Sequence, residues 1–260
     1  MELFNGIRAV HRHWTIFIYP ILFDLIGLAL GLYFIGFYGK AITSVKLVLE
    51  MGLPSISHIS NIPLFVNNFF FLTNPAEKTA FLAITLVIML LVGAFLQGGY
   101  IRFLYMIVKK EEYSFFQFIK DGKKYWLQFI LLEVIVQLLR IGLTAFLIIF
   151  FPYIGSFISL MTFIILRILF IYLEFTIVID HVSIPDALKL SRRYLRKSFL
   201  PSLTVVMIMY LVTSSLSLVL HVRWTFSMVI CVLLLYAYLM TLIQSVLMSI
   251  FCQVRAKNSR

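Results

Sequence analysis

Apolar residues in this chain come in long unbroken runs, with the polar positions gathered between them. Six runs stand out: Trp14–Phe37, Lys78–Val108, Trp126–Phe151, Tyr153–Ile179, Phe199–Leu220 and Trp224–Phe251. About 20 such residues in a helix cross the ~30 Å of bilayer hydrocarbon. The second and last runs are longer than that, which predicts tilt or projection beyond the bilayer. Only Pro152 separates the third run from the fourth, and only "HVR" separates the fifth from the sixth, so both turns are tight. The pattern predicts an all-α membrane protein, one transmembrane domain over residues 1–260, with six spans paired as three hairpins. Residues 38–77 form the long connection on one side, an outer loop. Within it "AITSVKLVLEM" predicts an amphipathic helix. "IPLFVNNFFFL" is apolar but too short to span, and is expected to lie in the interface or dip into the bilayer.

Composition agrees. Hydrophobic residues make up 62% of the chain and charged residues 13%, about half the charged share of a soluble domain. A net charge of +11 would suggest nucleic acid in a soluble protein; here it matters where the charges fall. Sixteen of the 22 Lys and Arg lie in the N-terminal segment, the second and fourth connections and the tail. They are Arg8, Arg12, Arg102, Lys109, Lys110, Lys120, Lys123, Lys124, Lys189, Arg192, Arg193, Arg196, Lys197, Arg255, Lys257 and Arg260. Opposite them lie Lys40, Lys46, Lys78 and Arg223. The positive-inside rule then places both termini in the cytoplasm and predicts a multi-pass protein of the plasma (inner) membrane. Trp14, Trp126 and Trp224 sit at span edges, where indoles are favoured. The first run is too long for a signal peptide and lacks a small-x-small cleavage site. Cys231 and Cys252 share one predicted helix about 30 Å apart, so they cannot bridge within it.

The basic connections resemble one another. "YSFFQFIKDGKKYWL" (113–127) aligns with "VSIPDALKLSRRYLR" (182–196), and "LFNGIRAVHRHW" ends where "FFQFIKDGKKYW" ends. Lys120 meets Lys189, and Lys123, Lys124 and Tyr125 meet Arg192, Arg193 and Tyr194. This predicts three units, about 1–108, 109–179 and 180–260, each a basic amphipathic cytoplasmic helix leading into a hairpin. Ser114 and Ser183 are candidate N-caps, and Pro185 suits an early helical position. In the third copy Ile184, Leu188, Tyr194 and Leu195 share a face flanked by Lys189, Arg192, Arg193 and Arg196. Such a helix lays its apolar face in the headgroup boundary and its cations, with Lys197, among anionic lipids. Each cation contributes roughly 1 kcal/mol. Lys120, Lys123 and Lys124 form the matching set in the second copy. The bland alternative is a topology anchor. No groove-reading module accompanies the charge, so nucleic acid is not an expected partner.

A few ionisable residues fall inside the runs: Asp24, Glu133, Arg140, Arg167 and Glu174. A central charge costs at least about 2.5–3.5 kcal/mol on insertion scales, so it is seldom left facing lipid. Glu133, Gln137, Arg140 and Thr144 share one helical face. Counted from Pro152, Glu133 and Arg167 differ in depth by about 6 Å, which makes them the expected interhelical pair. Arg140 and Glu174 are expected to close the cluster, with Asp24 joining it. Gly27 and Gly31 form a GxxxG, which predicts close approach of another helix. The cluster reads either as register-fixing salt bridges or as a transport or headgroup site.

Hydrolase, HExxH, P-loop and Cys/His metal motifs do not occur, so no cofactor, metal or enzymatic activity is expected. His11, His13, His58, His181 and His221 read as ordinary surface or interfacial histidines. "IDHVSIPDALKLSRRYLRKSF" and the six-span plan resemble poorly characterised bacterial membrane proteins related to the membrane domain of glycerophosphodiester phosphodiesterases. Asp180, Ala187, Leu188, Lys189 and Ser191 carry the motif. No phosphodiesterase catalytic domain accompanies it, so that activity is not implied. "DALKLSRRYLRKSFLP" also resembles the coupling loop of ABC-type permeases through Asp186, Ala187, Leu200 and Pro201, with Arg192 in place of the usual glycine. The expected function is a non-enzymatic scaffold or accessory protein that engages anionic lipid headgroups or a protein partner through its basic helices. The alternative is a transporter or permease subunit using the intramembrane cluster.

Overall fold

The computed structural model describes residues 10, 13–37, 39–46, 48–49, 51–62, 64–67 and 80–258. Arg8, Arg12, Lys78, Arg260 and most of "LFNGIRAVHRHW" lie outside them. Every regular element among the described residues is helical. A 3-10 turn, Trp14–Phe17, leads into α1, Ile18–Phe34. Then follow α2, Ala80–Lys109, α3, Phe115–Phe150, α4, Gly155–Leu169, α5, Leu173–Ile179, α6, Ile184–Lys197, α7, Phe199–Val222, and α8, Phe226–Asn258. Six stretches are long and apolar enough to cross a membrane: Trp14–Phe34, Ala83–Lys109, Phe115–Phe150, Gly155–Ile179, Phe199–Val222 and Phe226–Lys257.

Helix α8 sits at the centre. Tyr236, Ala237, Met240, Leu247, Met248 and Phe251 are buried along it. Tyr100 of α2 donates to Thr241 across 3.0 Å, which gives a phenol a partner in an apolar core. Small residues let α2 and α3 approach. A Cβ on Gly122 would lie 2.8 Å from the Phe95 carbonyl oxygen, and one on Gly99 would enter the Phe118 ring. Tyr19 of α1 stacks on Phe118 at 4.0 Å.

Three elements differ from the sequence reading. The second basic segment and the third span form one 36-residue rod, α3, and Trp126 lies within it instead of at its edge. No Pro interrupts "FFQFIKDGKKYWL", and Gly122 is held by packing. The fourth span is broken: α4 ends at Leu169 and α5 begins at Leu173. Neither Gly nor Pro causes the break. It turns Tyr172 inward, where its hydroxyl meets Ser202 of α7 at 2.6 Å and its ring packs 5.6 Å from Phe251.

The largest difference is residues 39–67. The described part of "AITSVKLVLEM" is not helical. Its backbone is engaged by α7 instead: Ile42 N–H donates to the His221 carbonyl at 3.1 Å, and Lys46 N–H to Ser217 Oγ at 3.2 Å. Farther on, Met51 to Ser57 are buried, as are Ile59, Ser60, Ile62 and residues 64–67. The segment enters the bundle with only a 3-10 turn, Ile56–His58, for regular structure. Gly27 and Gly31 serve this segment and not a second helix. A Cβ on Gly31 would lie 1.7 Å from Leu64 O, and one on Gly27 3.0 Å from Asn67 Cγ. Val66 N–H donates to the Gly27 carbonyl at 3.2 Å. Irregular backbone at membrane depth persists only where protein or water satisfies its polar groups, and α1, α4 and α7 supply the partners here.

Candidate functional site

Asp24 stands near the middle of α1 and is fully buried. It meets the tip of the inserted segment. Ser55 Oγ donates to Oδ1 at 2.5 Å, Asn67 Nδ2 donates to Oδ1 at 3.0 Å, and Ile56 N–H donates to Oδ2 at 2.8 Å. Three donors satisfy the carboxylate where no Arg or Lys pairs with it among the described residues. Asp24 therefore does not join the arginine cluster. A local donor set formed by the loop has replaced the expected long-range charge pairing.

Nearer the 39–46 end, His221 is buried within α7 and is not a surface histidine. Asn61 N–H donates to Nε2 at 2.9 Å, and Nδ1 donates to the Ser217 carbonyl at 2.7 Å. One acceptor and one donor nitrogen describe a neutral ring with its proton on Nδ1. Ser217 Oγ donates to Ile59 O at 2.9 Å, Lys46 Nζ donates to Ser60 O at 2.6 Å, and Asn61 Nδ2 donates to Ser44 Oγ. These bonds seat the irregular segment against α7.

The second charged site brackets the helix break. Arg167 Nη1 donates to Glu174 Oε1 at 2.5 Å, and Arg167 Nε donates to the Leu49 carbonyl at 2.9 Å. The expected Glu133–Arg167 pair does not form. Glu133 is exposed and accepts from Gln137 Nε2 at 2.7 Å, on its own helix. The depth argument took α3 and α4 as neighbours along their whole length. They do meet at one end, where Thr144 Oγ1 and Ser159 Oγ lie 2.6 Å apart and a Cβ on Gly155 would sit 2.2 Å from Leu147 O. Beyond that point α3 is exposed at Leu138, Leu139, Arg140 and Ile141. Arg140 makes no hydrogen bond or ion pair among the described residues. Glu174 is buried, and its Oε2 has no hydrogen-bond partner among them.

At the basic end, Asp180, just past α5, accepts from two groups, one of which also reaches a third. Arg255 Nε of α8 donates to Oδ1 at 2.6 Å, Tyr194 OH of α6 donates to Oδ2 at 3.0 Å, and Arg255 Nη1 reaches Tyr105 OH at 3.3 Å. Burial and the Asp180 charge push the Tyr194 phenol up to about 12. A similar contact serves α3: Tyr113 OH donates to Asp121 Oδ2 at 2.8 Å, and burial with that carboxylate raises the phenol well above its ordinary value. His181 adopts a left-handed backbone, φ 56°, and its Nδ1 meets Tyr125 OH and, at 3.4 Å, Lys124 Nζ. An ammonium only donates, so Nδ1 accepts and the ring is neutral. Burial, then Lys124 and Arg102, hold its pKa below the ordinary value.

Of the two predicted N-caps, Ser114 forms a full capping box with Gln117, whereas Ser183 occupies the N-cap position without a capping bond and its Oγ donates to Asp186 Oδ2 at 2.7 Å. In α6, Ala187, Ser191, Tyr194 and Leu195 are buried while Lys189, Arg192, Arg193, Arg196 and Lys197 are exposed. Lys189 lies 3.9 Å from Asp186. The buried face packs on α5, α7 and α8, so it is occupied by protein and not laid into lipid. Lys120, Lys123 and Lys124 are exposed along α3. Sequence reasoning missed the Asp180–Arg255–Tyr194 junction. Its signal was the acidic residue placed just before the basic helix.

No family model matches the chain, and no curated protein and no solved structure matches it significantly.

Proposed function

We propose that this chain is a plasma-membrane transport-type protein that binds a polar ligand at Arg167 and Glu174. One observation carries the reading: a helix broken at membrane depth, with an ion pair across the break and a buried carboxylate oxygen left unpartnered. Broken helices inside a membrane are tolerated where they line a site, and discontinuous helices are a recurring way to build one. An isolated structural salt bridge would not need a second, unsatisfied oxygen in a low-dielectric interior. The inserted segment 39–67 closes the site from one side, because the Leu49 carbonyl accepts from Arg167.

In this reading the spans are arranged as three hairpins preceded by basic helices. Both termini face the cytoplasm, since the exposed cations gather at that end. The chain works without enzymatic chemistry of its own. Kinship with the membrane domain of glycerophosphodiester phosphodiesterases is part of the proposal and brings no catalytic role with it. A thermal-shift screen of the purified protein against charged, zwitterionic and neutral solutes and lipids tests the reading. At least one class should stabilise the wild type and lose its effect in Glu174→Gln. If no class does so, the reading falls.

A second reading has its own support. The five exposed cations of α6 stand on a helix whose other face is already packed. They suit anionic lipid headgroups or an acidic protein partner, the scaffold function. Replacing Arg192, Arg193, Arg196 and Lys197 by Gln together should abolish flotation with phosphatidylglycerol vesicles while the unfolding temperature holds. Unchanged flotation removes this reading.

A further inference from the structure

The inserted segment is a loop whose two limbs meet on a single turn of α7. On the entering limb, Ile42 N–H donates to the His221 carbonyl at 3.1 Å, and Lys46 N–H donates to Ser217 Oγ at 3.2 Å. On the returning limb, Ile59 O accepts from Ser217 Oγ at 2.9 Å, and Asn61 N–H donates to His221 Nε2 at 2.9 Å. The limbs are also tied to each other. Lys46 Nζ donates to Ser60 O at 2.6 Å, and Asn61 Nδ2 donates to Ser44 Oγ. Together these bonds close a neck. Beyond it the chain carries the Leu49 carbonyl to Arg167 and reaches its tip at Ser55 and Ile56, on Asp24.

One member of the neck can change its hydrogen-bonding sense. The His221 ring is buried and both its nitrogens are engaged: Nδ1 donates to Ser217 O at 2.7 Å, and Nε2 accepts from Asn61. A proton can be added only at Nε2. Imidazolium has donors on both nitrogens, so it sets an N–H against the Asn61 N–H. That bond is then lost and a buried donor is left unpaired, which is costly. No carboxylate among the described residues forms an ion pair with the ring to offset the charge. Lys46 on the entering limb and Arg223, just past α7, are cations. His58 lies three residues before Asn61 on the returning limb. Asp24 of α1 is committed to Ser55, Ile56 and Asn67, and α8 carries no charged residue before Arg255.

We propose that His221 is an acid-released latch: the neck closes on the neutral ring, and a proton on Nε2 holds it open. Because the ring is buried in the closed neck, uptake follows a local opening, and the charged ring cannot take back the Asn61 N–H. In the open neck the imidazole titrates near the ordinary value of about 6.5. Below that pH the open form binds the proton and the closed form does not, so each further unit favours opening by up to about tenfold. Opening unseats the limb that carries Leu49 to Arg167. The latch belongs to the loop and stands whether or not a ligand binds at Arg167 and Glu174.

The test is amide hydrogen exchange of the full chain in detergent at pH 7.5 and pH 5, corrected for the intrinsic pH dependence of exchange and read by mass spectrometry. Peptides within 42–61 should lose about tenfold or more in protection at pH 5, while those from the centre of α8 hold. His221→Gln offers a carbonyl oxygen near the Nε2 position and does not titrate; its loop should stay closed at both pH values. His58→Gln should leave the acid response in place. If Gln fails to seat the loop at pH 7.5, hydrogen exchange at the imidazole C2 positions of the wild type decides, because it reads each histidine's titration separately. His221 must then take up its proton over the pH range in which the loop opens. Equal protection of the loop at both pH values, an acid response that survives His221→Gln or disappears in His58→Gln, or a His221 titration that does not track the opening overturns the inference.

Discussion

Leu64 places its carbonyl oxygen where Gly31 has no side chain; a Cβ on Gly31 would lie 1.7 Å from that oxygen. The obstacle is backbone, which cannot rotate away as a side-chain tip can. Gly31→Ala should therefore cost about 3 kcal/mol, at the upper end of overpacking penalties. Gly27→Ala faces only the Asn67 side chain and should cost less. Unfolding of the purified protein by graded SDS orders the two; equal effects would mean the segment does not seat against α1.

Asp24 holds the tip of the same segment by three hydrogen bonds. Asp24→Asn turns a two-oxygen acceptor into one that meets buried donors with an N–H₂. A loss of about 3 kcal/mol is expected. The segment should also loosen locally, exposing Lys46, whose Nζ is now bonded to Ser60 O. Limited trypsin digestion followed by peptide mass mapping should show new cleavage after Lys46 in Asp24→Asn and little in the wild type.

The junction at Asp180 joins α5, α6 and α8. Asp180→Asn keeps the shape and removes the charge that Arg255 and Tyr194 address. The pair is partly exposed, so about 1–2 kcal/mol is expected, less than for a fully buried pair. Amide hydrogen exchange in 184–197 should quicken, while exchange at the centre of α8 stays slow.

His181 makes the same end sensitive to acid. In the unfolded chain its imidazole takes up a proton near the ordinary value of 6.5; in the folded chain Nδ1 is engaged and protonation waits for a lower pH. Stability at this junction is fully present above 6.5. As pH falls through that value towards the folded one, the unfolded state binds more protons and stability declines. His181→Asn keeps a residue type that tolerates φ 56° and removes the titration. Unfolding temperatures between pH 7.5 and 5 should fall in the wild type and flatten in the variant.

Hydrophobic run length made the six spans legible, because spanning ~30 Å leaves a helix few alternatives. The cap at Ser114 was readable for a similar local reason, as was the start of α6 after Ser183, though that hydroxyl makes no capping bond. The break at 170–172 was not. "LFIYLE" contains no helix breaker, and what turns the chain is the meeting of Tyr172 with Ser202, thirty residues on. The pairing of Arg167 with Glu174 follows from that break, so arithmetic along straight helices chose Glu133 instead. Asp24 was singled out correctly as costly to bury. Its partners, Ser55, Ile56 and Asn67, lie in a segment whose apolarity suggested membrane contact without showing where its backbone would be satisfied.

The inserted segment also imposes an order of events on synthesis. Residues 42–61 find their partners in Ser217 and His221, about 160 to 180 positions later in the chain. At 5–20 residues per second, a ribosome needs roughly 10–40 s to supply them. During that interval the first two spans are in the bilayer while the backbone between them lacks its native acceptors. A nascent chain halted before α7 should therefore stay open to protease and to membrane quality control. Completion of the fifth span, more than insertion of the first, would mark the moment the protein becomes safe.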